Sequence, residues 1–173
     1  MKFVINAAPM RDVPITFVSK VPADLTEEEL VELGRLYYAF ELRMAEFEKE
    51  QGRTRILNTE EEIISDFKAI KEEKNPPDRF VLVKDGTTTI GYACWVKSSW
   101  FENMAIIENI FLSAAYRGKG FGKQLVEFTI ATIREAYPGA MISIGVISSN
   151  TKARSLYNYL GFSQLVHESY LLK

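Results

Sequence analysis

The stretch YRGKGFGKQLVEFTIATI, residues 116–133, places Gly118, Gly120 and Gly122 among Arg117, Lys119 and Lys123 and leads straight into an amphipathic run. An apolar, β-rich run, AIIENIFLS (105–113), precedes it, and a second, MISIGVIS (141–148), follows the helical run. Strand, glycine-rich turn and helix together make an anion site. The first N–H groups of a helix have no partner inside the helix, and its dipole favours negative charge there. Glycine lets a ligand approach the main chain with no Cβ in the way.

Glycine loops that bind phosphates follow a few patterns, and two of them fail here. A Walker-A loop would need glycine at Arg117 and a hydroxyl at Gln124. A dinucleotide fingerprint would need its last glycine at Lys123 or at Leu125. The pattern Arg/Gln-x-x-Gly-x-Gly/Ala is satisfied by Arg117, Gly120 and Gly122. A second block follows the next strand: Asn150-x-x-Ala153-x-x-x-Tyr157-x-x-Leu160-Gly161-Phe162. A turn whose glycines serve packing alone would explain the first block but not the two in order. On these blocks, from about Ile106 to Phe162, the chain resembles the Gcn5-related N-acetyltransferase (GNAT) family; residues 1–78 share only its layout.

That resemblance implies acetyl transfer from acetyl-CoA to the primary amine of a small molecule or peptide. It also implies an α/β fold with a mixed, mostly antiparallel sheet of six to seven strands. A central parallel pair in that sheet is splayed to admit the cofactor. Main-chain groups of Ile110, Phe111 and Leu112 would pair with the pantetheine amides as an added strand would. The N–H groups from Arg117 through Gly118, Lys119, Gly120 and Phe121 to Gly122 would hold the pyrophosphate. Arg117 and Lys119 or Lys123 would add charge-assisted contacts; the two lysines read equally well as solvated charges at a helix start. Asn150, Ala153 and Tyr157 of the second block would face the cofactor arm. Asn150 also suits a helix N-cap. The segment Ser113-Ala114-Ala115-Tyr116 lacks the proline that the family usually carries before the motif arginine.

Two protons must move in such a reaction. An alkyl ammonium, with a pKa of about 10.4, must lose one before it attacks, and the departing thiolate needs one. Tyr157 stands at the family's general-acid position, two helical turns from Asn150; packing beside Leu156 and Leu160 is the plainer role for its ring. Glu108 interrupts the apolar strand IIENIFL, where alternation puts Ile106, Glu108, Ile110 and Leu112 on one face. A carboxylate among aliphatics faces a cavity or marks a strand irregularity. Partial burial would raise its pKa toward the range useful for a general base, acting directly or through water.

The acceptor pocket of such a fold would be built from residues 30–50 and 92–104. Tyr37, Tyr38, Glu41, Trp95 and Trp100 are the candidate lining, since aromatic rings with a carboxylate hold a cation. Aromatic residues at helical spacing also serve as ordinary core.

The rest of the chain frames this unit. ITFVSKV (15–21) reads as a strand. Thr26 with Glu29 has capping-box spacing and opens a helix carrying Leu30, Leu33, Tyr37, Phe40 and Met44 on one stripe. QGR (51–53) breaks it, Thr59 starts a second helix with Ile63, Phe67 and Ile70 inward, and NPP (75–77) ends that one. Residues 79–99 read as a hairpin around Asp85-Gly86, and a helix runs from about Gly120 to Tyr137. Gly145 suggests a bulge in strand 141–148, Gly161 closes a helix from Asn150 to Leu160, and 162–172 reads as the last strand. The expected order is β, α, α, β, β, β, α, β, α, β, a single domain over 1–173 with helices on both faces of a mixed sheet.

The chain of 173 residues has a net charge of −2 and one cysteine, Cys94. No broad basic surface for nucleic acid, no disulfide framework, no metal-ligand spacing and no membrane-length apolar run is present. Neither does the N-terminus carry a signal-peptide stretch, so a cytoplasmic protein is expected. His167, Cys94 and Met141 read as structural, and the family resemblance implies that a C-terminal strand such as 162–172 would pair with a second subunit in a homodimer. The rival functions are a non-catalytic acyl-CoA-binding sensor and a protein N-terminal or lysine acetyltransferase.

Overall fold

A computed structural model of the protein describes residues 2–5 and 14–163. Strands β1 (Lys2–Ile5), β2 (Ile15–Lys20), β3 (Arg79–Asp85), β4 (Thr88–Lys97), β5 (Met104–Leu112) and β6 (Met141–Ile144) form one six-stranded sheet in sequential order. Every neighbouring pair from β1 to β5 is antiparallel, and β5–β6 is parallel. The helices are α1 (Glu27–Glu50), α2 (Glu60–Ala69), α3 (Phe121–Ala136) and α4 (Thr151–Tyr159). Among the described residues no helix is long and apolar enough to cross a membrane. From residue 164 onward the expected last strand, with His167 and the homodimer edge, lies outside the described residues.

Local chemistry explains the helix boundaries. Thr26 and Glu29 cap each other's backbone N–H at 3.1 and 3.0 Å, and Thr59 and Glu62 do the same at 3.2 and 2.8 Å. Each reciprocal pair satisfies two N–H groups that the helix cannot. Gly161 follows α4 with φ +88°, the left-handed stop that glycine adopts without strain.

Alternation along β3 splits the core in two. Phe80 and Leu82 face α1 and α2, packing with Leu30, Leu33, Ile63 and Phe67. Val81 and Val83 face α3, packing with Phe121, Leu125 and Phe128. A fully buried aliphatic side chain contributes roughly 1.5–3 kcal/mol, so Leu30, Leu33, Leu125 and Ile133, all at 0% exposure, hold the helices to the sheet. α1 and α2 meet at Gly34, where a Cβ would come within 2.9 Å of the Ile64 main chain.

Three features differ from the sequence-based expectations. Strand β1 was not anticipated; it pairs along Lys2↔Val18 to Ile5↔Ile15. β6 is shorter than 141–148 and stops at Ile144, so Gly145 lies past its end rather than at a bulge within it. A bulge falls on β5 instead: the register steps from Cys94↔Asn109 to Trp95↔Ile107 and leaves Glu108 with no residue opposite. An extra residue flips the alternation. Ile110 and Leu112 therefore join the α3 side, whereas Glu108 faces the α1–α2 side, so the four residues do not share one face.

Candidate active site

Pairing between β5 and β6 runs from Met104↔Met141 only to Ile107↔Ile144. β5 continues to Leu112, while the other chain departs as the coil 145–149 toward α4. The edge of Glu108, Asn109, Ile110, Phe111 and Leu112 thus has no β6 partner, and it leads directly to the glycine turn. Sequence marks this opening only through Gly145; its extent comes from register.

Beyond β5, Ala114–Tyr116 forms one 3₁₀ turn in the place of the missing proline. The Tyr116 hydroxyl donates to Asp85 at 2.6 Å, tying the turn to the β3–β4 hairpin. Gly118 and Gly120 take φ +74° and +85°, and Gly120 is the N-cap of α3 with no side chain to offer. The first helical bond is Gln124 N–H to Gly120 C=O at 3.2 Å, so the amides of Phe121, Gly122 and Lys123 precede it and are not used by the helix. A Cβ built on Gly122 would meet nothing within 4 Å. Packing therefore does not demand glycine there. The residues present fit a diphosphate cofactor.

The basic side chains are more engaged than the motif alone implies. Arg117 Nε donates to the Leu112 carbonyl at 2.7 Å, with its guanidinium 5.0 Å above the Phe111 ring. Lys119 Nζ donates to the Ala115 carbonyl at 2.7 Å. Lys123 lies 3.6 Å from Glu127 and 5.0 Å from the Tyr159 ring centre. Arg117 closes the turn onto the strand end; Lys119 and Lys123 stand around the helix mouth.

On α4, Asn150 accepts the Ala153 N–H at 3.3 Å and so caps the helix. Tyr157, half-buried, has its ring edge-on to Phe162 at 6.0 Å. Burial pushes its phenol up to about 12, which keeps it protonated.

On the α1–α2 face of the sheet a cavity of about 410 Å³ reaches Glu108. Its apolar floor is Ile63, Phe67, Ile70, Phe80 and Cys94, and its wall includes Tyr37, Glu41, Ile56 and Asn58. Apolar surroundings push the Glu108 carboxyl up from its ordinary value. Of the candidate acceptor residues, the fold brings Tyr37 and Glu41 to this cavity. Tyr38 packs against the α1–α2 core instead. Trp95 lies at 1% exposure on the opposite side with Ile107 and Ile133, because it sits one step past Cys94 on the pleat. Trp100 stands 87% exposed in the β4–β5 connection and is not part of this cavity's lining.

Sequence reasoning passed over Arg55. Its Nε and Nη2 hold both oxygens of Glu41 at 2.8 and 3.0 Å, and Nη1 reaches Glu48 at 2.9 Å. The seven-residue spacing of Glu41 and Glu48 on one helix face was the available signal. Glu41 is thus already paired with a cation. Asp66 and Glu73, on the cavity rim, were also missed.

Comparison with known proteins agrees with this geometry. The model of the acetyltransferase (GNAT) family matches residues 36–162. A thialysine N-epsilon-acetyltransferase of Mus musculus is 27% identical over 82 residues, 46% of this chain and 48% of the relative, so the chain matches about half the length of that curated protein. Among solved structures, an aminoglycoside N-acetyltransferase in complex with CoA superposes with a TM-score of 0.67 at 13% identity, over 96% of this chain and 99% of the other. A ribosomal-protein-alanine N-acetyltransferase from Brucella melitensis does so with a TM-score of 0.61 at 12% identity, over 92% and 98%. The Escherichia coli protein ElaA gives a TM-score of 0.59 at 21% identity, over 92% and 93%. With a family match across most of its length, and with the glycine turn and parted strands where that family needs them, the chain belongs to the acetyltransferase (GNAT) family.

Proposed function

We propose that the protein is an acetyl-CoA-dependent N-acetyltransferase acting on a primary amine of a small molecule or peptide by direct attack, with Glu108 as general base and Tyr157 as general acid. The observation that carries this reading is the unpaired β5 edge from Glu108 to Leu112, which connects an amine-sized cavity to an open helix N-terminus. Acetyl-CoA, used by the family, supplies the activated acetyl thioester.

Main-chain groups of Ile110, Phe111 and Leu112 bind the pantetheine arm. The amides from Gly118 to Lys123 hold the diphosphate, and Asn150 and Ala153 flank the arm from α4. Glu108 takes a proton from the bound ammonium, directly or through water, and frees the nitrogen lone pair. As the new C–N bond forms and the C–S bond breaks, Tyr157 donates a proton to the departing sulfur, and the proton that the new amide nitrogen sheds restores the phenol. The net products are an amide, a thiol and one proton. Cys94, a buried free thiol pushed up to about 12 by burial, suits a reducing cytoplasm and takes no part.

The test separates binding from transfer. Thiol release from acetyl-CoA is followed over a panel of amines, and CoA affinity is measured by calorimetry for the parent, Glu108→Gln and Tyr157→Phe. Turnover falling by about 10²-fold or more at unchanged affinity supports the assigned acid–base roles. CoA binding with no thiol release from any amine indicates a sensor, and label appearing only in macromolecules of a lysate indicates a protein acetyltransferase.

A further inference from the structure

Glu108 and Asn109 are neighbours in sequence, yet both line the cavity on the α1–α2 face. The residues on either side of them, Ile107 and Ile110, pack on the α3 face. A regular strand sends consecutive side chains to opposite faces, so the shared face is the work of the β5 bulge. At Glu108 the strand is unpaired on both flanks. Pairing with β6 ends at Ile107↔Ile144, and on the β4 side Glu108 has no residue opposite. Its carboxylate makes no hydrogen bond or ion pair with a described residue, so only the backbone aims it.

Pairing resumes at Asn109, opposite Cys94. There the Asn109 side-chain Nδ2 donates to Cys94 Sγ at 3.6 Å, and the Asn109 main-chain N–H also bears on that sulfur. Sulfur is a weak acceptor, but here a weak contact decides between two close alternatives. The bulge could sit one residue further along, with Glu108 opposite Cys94 and Asn109 unpaired. Ile107↔Trp95 and Ile110↔Ala93 would be unchanged, so the rest of the sheet does not choose between the two arrangements. The Asn109–Cys94 contact exists in only one of them.

We infer that Asn109 is a positioning residue: its bond to Cys94 fixes the bulge at Glu108 and so keeps that carboxylate unpaired and directed into the cavity. This rests on the reading of Glu108 as general base for its effect on the rate, but not for its effect on the strand. Burial keeps the Cys94 thiol protonated, at about 12, so the contact itself does not titrate near neutrality.

Asn109→Leu and Cys94→Val each remove the contact and keep the position filled. Thiol release gives kcat and KM, calorimetry gives CoA affinity, and NMR reads which residue of β5 shows cross-strand NOEs to the main chain of residue 94. In the parent that residue is expected to be 109, and in either variant 108. Displacing the base should lower kcat about tenfold or more at unchanged CoA affinity. The double variant should lose no more than the weaker single variant, because both act on one contact. In a Glu108→Gln background, adding Asn109→Leu should leave the residual rate unchanged. The two single variants read the contact from opposite strands, so either suffices if the other does not fold. An NOE partner still at 109 in the variants, or additive losses, overturns the inference. So does a further loss from Asn109→Leu in the Glu108→Gln background, which would make Asn109 a contact of the acceptor itself. A shifted NOE partner in a protein whose Glu108→Gln variant turns over like the parent supports the lock and overturns the base assignment instead.

Discussion

Arg55 grips Glu41 at both carboxylate oxygens, Nε to Oε2 at 2.8 Å and Nη2 to Oε1 at 3.0 Å, and so fastens the connection between α1 and α2 to the middle of α1. That connection carries Ile56 and Asn58 into the cavity wall. At its start, the Gln51 side chain reaches Ser149 at 3.3 Å, in the coil that leaves β6. One loop thus runs from the cavity wall to the coil beside the parted strands, and the ion pair holds its free span.

Arg55→Met should leave Glu41, 8% exposed, as an unpaired buried charge. Solvent reaches the arginine, so the expected loss is about 2 kcal/mol rather than the full penalty of a deeply buried pair. Adding Glu41→Gln removes the stranded charge and should recover part of it. Urea denaturation midpoints, with an unchanged slope, measure both; a single variant as stable as the parent would contradict the clamp.

Gly122→Ala should separate stability from binding. The new methyl meets nothing within 4 Å and needs no left-handed backbone, so α3 should gain about 0.5–1 kcal/mol from helix propensity. With the diphosphate seated on this turn as proposed, the same methyl crowds the helix mouth, and CoA affinity should fall tenfold or more. Thermal unfolding and calorimetry on one sample check the opposite signs. Tight CoA binding by this variant would move the diphosphate away from the turn.

Much of this was legible before any fold was known, and the division follows range along the chain. Thr26, Thr59, Gly120, Asn150 and Gly161 announce helix ends through chemistry reaching at most three residues. Glu108 could be noticed as a charge in an apolar strand, but its direction depends on a bulge set by pairing with Cys94 and Trp95, fourteen or so residues away in sequence. Trp95 was misplaced for the same reason: alternation tells that neighbours face opposite ways, not which way is the cavity. For Arg55 the sequence offered only the Glu41–Glu48 spacing; which cation meets that pair depends on how the following connection folds back onto α1.

Glu29 should govern acid stability. Burial pushes its carboxyl up, but the Lys20 ammonium at 2.7 Å, the Thr26 amide and the Lys84 ammonium at 2.9 Å together pull it down to about 2. A folded pKa below the unfolded value of 4.5 gives stability that is complete above 4.5 and is lost as pH falls through about 2. The loss amounts to roughly 3 kcal/mol from this group. Glu29→Gln should lower stability at pH 7 and flatten its decline between pH 4.5 and 2. Parallel stability–pH curves for the two proteins would rule out the lysine pair as the source.

The pH dependence of acetylation should report Glu108 on its acid side. A general base works deprotonated, and apolar surroundings raise this carboxyl above its ordinary 4.5. Activity should therefore be full above the raised value and decline as pH falls through it, so the limb lies at higher pH than a solvated glutamate would give. Tyr157, pushed up to about 12, keeps its proton throughout and adds no loss near neutrality. In Glu108→Gln the limb should vanish together with most of the rate, whereas in Tyr157→Phe the limb should stay where it is at a lower plateau. Profiles of kcat/KM from pH 5 to 9 with one amine distinguish these outcomes, and an unmoved limb in Glu108→Gln would assign the base to another group of the cavity.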